Sequence, residues 1–148
     1  MISELDIMEQ MVKVITEELN DHLPEGLDPI VEGQVILDIP DPDQMPFPVM
    51  IYVFPDYVEY EDHTTESDRG NFRLTVFILC KRDSRYNLTV KTHKYYNALY
   101  DLLRKNTTLD ELVDFTTVEN ATFYPAVDAN RDIKGAEADV RTEYELDF

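Results

Sequence analysis

The sequence has few of the residues that form reactive thiols, phosphate-binding loops and metal sites. Its one cysteine, Cys80, allows no internal disulfide, and its apolar, alternating surroundings predict a buried residue rather than a reactive thiol. Its four glycines form no loop of the kind that binds a phosphate. Its three histidines, His22, His63 and His93, belong to no H-E-x-x-H motif or Cys/His cluster, which disfavours a zinc site. We therefore expect no cofactor and no metal, and an enzyme is the least favoured class.

Long apolar runs are lacking as well. No run approaches the roughly 20 residues that a membrane-spanning helix needs, so we expect no membrane partner. The N-terminal MISELDIMEQ is acidic and amphipathic, which is typical of neither a secretory signal nor a transit peptide. Hydrophobic residues make up 43% of the chain and charged residues 30%, as in folded proteins. Its 148 residues are predicted to form a single domain over residues 1–148.

Basic residues are scarce at the N-terminal end and concentrated in the middle. The formal net charge of −18 divides into −17 for residues 1–68, +7 for residues 69–105 and −8 for residues 106–148. This acidity disfavours a general nucleic-acid-binding protein, which needs a basic surface to neutralise phosphates. Two interpretations stay open. The surface is either solvated with an acidic bias, or an acidic face of one copy meets a basic helix of the next.

The longest apolar run, NFRLTVFILCKR at residues 71–82, predicts the strand around which the fold is built. Alternate residues form a wholly apolar face: Phe72, Leu74, Val76, Ile78 and Cys80. The other face is apolar only in its middle and comprises Arg73, Thr75, Phe77, Leu79 and Lys81. We expect an interior strand with helices packed on its apolar face.

Two amphipathic helices are predicted. The first begins at the N-cap Ser3 and ends near residue 20, and its apolar stripe is Leu5, Met8, Val12, Ile15 and Leu19. The second spans about residues 86–105, and its apolar face is Thr92, Tyr95, Tyr96, Leu99, Leu102 and Leu103. Three lysines are expected outside that face: Lys91, Lys94 and Lys105. A capping box at Thr108 and Glu111 predicts a short helix over residues 108–113.

The remaining central segments are short and interrupted by proline. Strands are predicted at residues 30–39, 49–54, 57–62 and 116–127. Pro55 is expected to end the second of these, and residues 62–70 are expected to form a polar loop. Residues 38–70 thus read as a proline-rich, acidic connection and hairpin extension within the domain. Its carboxylates Asp38, Asp41 and Asp43 are separated by prolines, which favours a solvated turn over a cation site.

The C-terminal segment, residues 136–148, alternates most regularly. Its apolar face comprises Ala136, Ala138, Val140, Thr142, Tyr144, Leu146 and Phe148. Its charged face comprises Glu137, Asp139, Arg141, Glu143, Glu145 and Asp147. This period of two predicts a strand with one face on the core and the other in water or against a charged partner.

The order of these segments predicts the fold class. Taken together they read α-β-β-β-β-α-α-β-β, with strands grouped around helices rather than alternating with them. That grouping is typical of an α+β fold. We expect a mixed or antiparallel sheet of about five to six strands with two main helices packed on one face.

The second half of the chain has an order of segments that is found in a known family. LTVFILCKRD leads into the helix NLTVKTHKYYNALYDLLRKN, followed by TLDELV, a strand, a DANRD turn and the alternating GAEADVRTEYELDF. This order, most closely over residues 71–148, and the amphipathic N-terminal helix resemble the tail-terminator and tail-completion proteins of long-tailed bacteriophages. The resemblance lies in element order and includes no signature residue. The acidic, proline-rich residues 38–70 depart from it.

The resemblance implies a non-enzymatic structural subunit. Such a subunit would form a ring, commonly a hexamer, that caps the tail tube and joins it to the head connector. Its partners would be further copies of itself, the tail tube protein and the head–tail connector proteins, with DNA only as passing cargo. It would lie in the virion tail or neck, and in the host cytoplasm during assembly. The candidate ring-interface or lumen residues are Glu137, Asp139, Arg141, Glu143, Glu145, Asp147, Lys91, Lys94 and Lys105.

The acidity also suggests a different function. A DNA-mimic protein that inhibits a host nucleic-acid enzyme would present carboxylates spaced like phosphates along one elongated face. A generic interaction module and, last, a small enzyme or metal protein remain as further classes.

Overall fold

The computed structural model describes residues 2–62, 67–83 and 87–147 and confirms the α+β class. Its elements are α1 Glu4–Glu18, β1 Val35–Leu37, β2 Val49–Asp62, β3 Ser67–Lys81, α2 Leu88–Lys105, β4 Phe115–Tyr124 and β5 Ile133–Asp147. A short 3₁₀ helix, Leu19–His22, follows α1. In the part of the chain that the structure describes, neither helix is apolar enough over a sufficient length to cross a membrane.

The strands form one mixed sheet in the order β1-β2-β3-β5-β4. β1 runs parallel to β2, whereas the other neighbouring pairs are antiparallel. The predicted central strand is β3, which pairs with β2 on one side and with β5 on the other. Ile78 of β3, for example, lies between Ile51 and Ala136. β1 and β4 therefore form the two edges of the sheet.

Both helices pack on one face of the sheet, which we call the helix face. α1 contacts β1 and β2, whereas α2 contacts β3, β4 and β5. The apolar face predicted for β3 is confirmed, because all its members are at most 2% exposed in the core under the helices: Phe72, Leu74, Val76, Ile78 and Cys80. The face predicted for α2 is buried in the same core, with Tyr96 only partly covered.

α1 begins where predicted, but its buried stripe is only partly the predicted one, since Ile15 and Leu19 are fully buried while Met8 and Val12 are partly buried. Ser3 caps it through a capping box with Asp6. Leu5, the first residue of the predicted stripe, is 53% exposed. The fully buried residues of α1 and the turn after it are Ile7, Met11, Val14, Ile15 and Leu19. A period of 3.6 residues accommodates both stripes, and only the docking of α1 onto the sheet selects between them.

The N-terminus of α1 is attached to the sheet through one carboxylate. Glu4 Oε1 accepts hydrogen bonds from the hydroxyl of Tyr60 and, at 2.8 Å, from that of Tyr144. Burial alone would raise the pKa of Glu4, but hydrogen bonds from Tyr60, its own backbone and Tyr144 outweigh burial and lower that pKa. Burial and the bond to Glu4 raise the pKa of Tyr144. Glu4 is therefore held charged and Tyr144 neutral.

The opposite face of the sheet is covered at one end only. There a second, smaller core is formed by Met50, Tyr52, Phe77, Leu79 and Ile133. Met45 and Phe47 of the proline-rich connection pack on it, as does Val127 from the turn before β5. The sequence predicted a connection here but not its role as a cover for the sheet.

Two predictions for the central strands are wrong. Pro55 does not end a strand, because β2 continues to Asp62 with a bulge between Pro55 and Tyr57. The proline is tolerated because β1 pairs with β2 only as far as Val53, so the missing N–H faces no partner strand. The predicted polar loop 62–70 is partly strand, since β3 begins at Ser67, while residues 63–66 lie outside the described residues. β1 is also shorter than the predicted 30–39.

The predicted helix at residues 108–113 is not formed. Leu109, Asp110 and Glu111 have φ values of 49°, 58° and 70°, so the chain makes a left-handed turn. Asn106 Oδ1 accepts a hydrogen bond from the Asp110 N–H at 2.9 Å, which stabilises this turn locally. Leu109 is fully buried. The Thr108 hydroxyl still accepts a hydrogen bond from the Glu111 N–H at 3.1 Å, so the capping contact forms within this turn although no helix follows it.

Candidate functional site on the open face

β5 presents a row of charged side chains away from the helices. Its residues on the helix face are at most 1% exposed: Ala136, Ala138, Val140, Thr142 and Tyr144. Strand alternation therefore turns the residues between them to the other side, namely Glu137, Asp139, Arg141, Glu143 and Glu145. We call the charged, uncovered part of this side of the sheet the open face. The side chain of Asp147 lies outside the described residues, although its backbone ends β5.

The register of the sheet places β3 residues beside this row. Arg73 lies directly opposite Arg141, and Arg69 lies opposite Glu145. Two positive side chains in directly opposed positions repel each other. Nearby carboxylates are therefore needed to offset the repulsion between Arg73 and Arg141 at the centre of the open face.

β2 and β4 supply those carboxylates. Arg73 Nε donates to Glu119 Oε1 at 3.1 Å, and Arg73 Nη1 lies 3.6 Å from Glu59 Oε1. The guanidinium also lies over the ring of Tyr57, 5.2 Å from its centroid. Glu119 reaches Arg73 because it is the extra residue of a bulge in β4. The central arginine is thus held by groups from both neighbouring sides of the sheet.

The other two arginines of the described part of this face also contact carboxylates. Arg69 Nη1 lies 3.4 Å from Asp114 Oδ2, and Arg141 Nη1 lies 3.9 Å from Glu143 Oε1. Such partly exposed pairs contribute about 0–1 kcal/mol each to stability. Their main consequence is electrostatic. Each pair neutralises the charge of its arginine locally, so the remaining carboxylates give the open face a net negative charge.

Two of the remaining carboxylates accept hydrogen bonds from neutral groups. Glu137 Oε2 accepts one from the hydroxyl of Tyr124, and Asp139 Oδ2 accepts one from Asn120 Nδ2 at 3.3 Å. The bond to Glu137, with burial adding to it, raises the pKa of Tyr124. A neutral donor does not cancel the charge of its acceptor, so the open face stays acidic.

The three predicted lysines lie on the other side of the molecule. Lys91 was expected outside the apolar face of α2, and that is wrong: its side chain is 3% exposed, and Nζ donates to Asp83 Oδ2 at 2.9 Å. Its long aliphatic stem passes through the core so that its ammonium reaches the surface carboxylate. Lys94 and Lys105 are exposed on α2. The fold therefore brings the β5 row together but does not join the lysines to it.

Sequence reasoning missed the residues that neighbouring strands add to the row. A signal existed for Arg73, because alternation places it with Thr75 on the side of β3 away from the helices. No local signal existed for Glu119, since the bulge that turns it towards Arg73 arises from pairing with β5.

The chemistry available here is electrostatic. Among residues 2–62, 67–83 and 87–147, no group of three or more His, Cys, Asp or Glu side chains is placed to hold a metal ion. Cys80 is fully buried, as predicted, and burial raises its pKa to about 11, so it is a poor nucleophile. The open face can present a patterned charge to a large partner.

Comparison with solved structures shows where this fold occurs. The sequence matches no protein-family model and no curated protein. A chain of the virion of a native gene transfer agent particle superimposes with a TM-score of 0.54 at 9% identity, covering 93% of this chain and 91% of that chain. The fold is shared with a virion chain. At this identity the likeness shows the fold alone.

A second structure is more distant. The PVC sheath/tube terminator of an extracellular contractile injection system, in its extended state, matches with a TM-score of 0.48 at 15% identity. The match covers 99% of this chain but only 58% of that chain. This score is too low to support an argument about either fold or function.

Proposed function

We propose that this chain is a non-enzymatic structural subunit of a phage-type tail, in which a ring of copies caps the tail tube and joins it to the head connector. The observation that carries the proposal is the open face, a sheet surface that neither helix covers and on which described carboxylates outnumber arginines. The fold shared with a virion chain supports a structural role. The partners would be the tail tube and connector proteins, and the site of action the virion neck after assembly in the host cytoplasm.

In such a ring the open faces line the central channel. DNA that passes through meets carboxylates, which repel its phosphates. The arginines offer few additional phosphate contacts, because Arg69, Arg73 and Arg141 each already contact a carboxylate. DNA then moves through as cargo rather than binding to the wall.

The distribution of charge supports self-assembly. α1 and β1, from the acidic residues 1–68, lie at one edge of the sheet, whereas α2, from the basic residues 69–105, covers strands towards the other edge. A ring requires two different and complementary surfaces on every subunit. Lys94 and Lys105 on one copy, facing the acidic side of the next, fit a hexameric ring of this kind.

The DNA-mimic alternative is less well supported by the open face. A mimic requires carboxylates spaced like phosphates along one elongated face. Here Arg141 interrupts the β5 row, and Arg73 and Arg141 engage carboxylates at the centre of the face, so the spacing of the carboxylates is not that of a phosphate backbone. We therefore favour the channel over the mimic.

Self-assembly is tested by solution mass and by electron microscopy. The purified chain should form annular particles whose mass is a fixed multiple of the subunit mass. High salt should shift the distribution towards smaller species, because screening weakens contacts between charged surfaces. A strict monomer at high protein concentration and low salt would overturn the proposed ring.

The position of the open face is tested by thiol labelling. Asn120→Cys places a thiol on the open face, and Arg131→Cys places one in the exposed turn before β5. Cys80 is buried and adds no background. A bulky maleimide should label the Asn120→Cys ring slowly and the Arg131→Cys ring quickly, and both at similar rates after dissociation in high salt. Similar rates in the intact ring would place the open face outside the channel.

A further inference from the structure

An exposed aromatic surface lies between α2 and the edge strand β4, and we call it the aromatic rim. His93 stacks on Phe123 with ring centroids 4.9 Å apart, and Tyr96 packs edge-on against the same ring at 5.2 Å. Tyr100 continues the row 6.3 Å from Tyr96, and the Arg104 guanidinium lies over the Tyr100 ring at 5.6 Å. Phe123 is 44% exposed and Tyr100 37%. The rings therefore contact one another while part of their surface remains in water.

The rim has the properties of a surface that another chain covers. Contiguous exposed apolar groups mark interaction sites. β4 adds ten residues whose outer edge pairs with no strand in the described part of the chain. Long unpaired edges invite pairing with a second chain. Arg104 at one end and Lys134 beside His93 and Phe123 at the other make the rim positive, so its partner should be apolar and acidic.

The opposite edge of the same molecule offers a surface of that description, which we call the acidic groove. It lies between α1 and β1 and has a volume of about 610 Å³. Its lining includes two valines, three glutamates and one lysine: Val12, Val35, Glu9, Glu17, Glu32 and Lys13. Beside it, Val31 and Leu37 are 49% and 41% exposed. The groove thus combines apolar walls with a net negative charge.

We propose that the aromatic rim of one copy docks into the acidic groove of the next copy. The rings would cover the exposed valine and leucine side chains, and Arg104 would face the glutamates. Because β1 and β4 are opposite edges of the sheet, the two surfaces do not overlap, and each copy uses both at once. A head-to-tail contact of this kind forms a ring when the rotation between successive copies closes, as the proposed ring requires. The inference rests on the proposed ring and identifies its contact.

The rim is tested by one substitution within it and a control substitution outside it. Phe123→Glu places a charge in the rim, whereas Arg131→Glu adds negative charge to the exposed turn before β5, outside both the rim and the open face. Loss of a central aromatic contact weakens association by about 30-fold or more. We expect Phe123→Glu to be a folded monomer, with a circular dichroism spectrum and melting temperature like those of Arg131→Glu, and Arg131→Glu to keep the ring.

The groove is tested by a mixing experiment. The double variant Glu9→Lys/Glu17→Lys reverses the groove charge and should also be monomeric. It retains an intact rim, and Phe123→Glu retains an intact groove. Mixed in equal amounts, the two should form a heterodimer of twice the subunit mass, and nothing larger, since only one good contact remains between them.

The outcomes separate the contact from the ring itself. If the unmodified chain forms rings and both variants still do so, the docking assignment is wrong while the ring stands. The same holds if the variants are monomeric but do not pair when mixed. If the unmodified chain never associates, both the ring and its contact are overturned.

Discussion

The helix face of the sheet is buried and largely apolar, with Thr116 and Thr142 as buried polar exceptions, whereas the opposite face changes from apolar to charged along the same strands. On β3, Leu74 and Val76 are fully buried under the helices. Arg73 belongs to the same strand, but its side chain lies on the open face. Only where residues 38–48 return over the sheet does the second side become a core, around Phe77 and Leu79. The presence of a covering segment, and not the strand itself, decides the character of each side.

This difference separates stability from function. The helix face holds the larger core and therefore most of the hydrophobic stabilisation. The open face contributes charge pairs that are individually weak. Substitutions there can change what the surface binds without unfolding the chain.

The largest expected effect compares two leucines of β3. Leu74 and Leu79 are both fully buried, the first under the helices and the second under residues 38–48. We expect Leu74→Ala to lower the free energy of unfolding by about 3–4 kcal/mol and Leu79→Ala by about 2–3 kcal/mol, because the loop cover can relax into the space more easily than packed helices. Urea unfolding followed by circular dichroism measures both. A greater loss for Leu79→Ala would reverse the ranking of the two cores.

An intermediate effect compares two glycines that lie beneath aromatic rings. A Cβ at Gly70 would approach the Tyr144 ring to 2.5 Å, and one at Gly135 would approach the Phe77 ring to 2.7 Å. Tyr144 is fully buried and bonded to Glu4, whereas Phe77 is 9% exposed. We expect Gly70→Ala to cost about 2–3 kcal/mol and Gly135→Ala about 1 kcal/mol. Thermal unfolding should give the Gly70→Ala variant a clearly lower melting temperature than the Gly135→Ala variant. Equal melting temperatures would indicate that both aromatic rings can move away from the added methyl group.

The smallest expected effect concerns one carboxylate on each side of the sheet. Glu4→Gln should lower the free energy of unfolding at neutral pH by about 1–2 kcal/mol, because it weakens charge-assisted hydrogen bonds from two tyrosines. Glu119→Gln on the open face is the matched control and should cost under about 0.5 kcal/mol. Urea unfolding at neutral pH distinguishes them.

The pH dependence of the Glu4 effect follows from the direction of its pKa shift. The folded-state pKa is lowered, so the stabilisation is fully present above the unfolded value of about 4.3 and is lost as the pH falls through the folded value. The difference in free energy of unfolding between the unmodified chain and Glu4→Gln should therefore become smaller below about pH 4. A difference that stays constant down to about pH 2 would show that the carboxylate charge plays no part.

Much of the fold could be predicted from local periodicity. β3, β5 and α2 repeat their patterns over many residues, and each buries most of the face that its pattern indicates, although the side chains of Leu146 and Phe148 lie outside the described residues. The wrong predictions lie where two local patterns fit the same residues, or where a neighbouring element in the fold determines the local structure. The stripe of α1, the strand through Pro55 and the turn at Leu109 all depend on what packs against them. The charged row of β5 was predicted, while its partners Arg73 and Glu119 were not.

The amino-acid sequence alone determined which residues share a strand face, because side chains on a strand alternate with a period of two whatever surrounds them. It therefore already contained the charged row from Glu137 to Glu145. Tertiary structure decided the order of the strands, the side on which the helices lie and the bulge that carries Glu119 to Arg73. These features depend on pairing between residues far apart in the chain, and local periodicity does not encode such pairing.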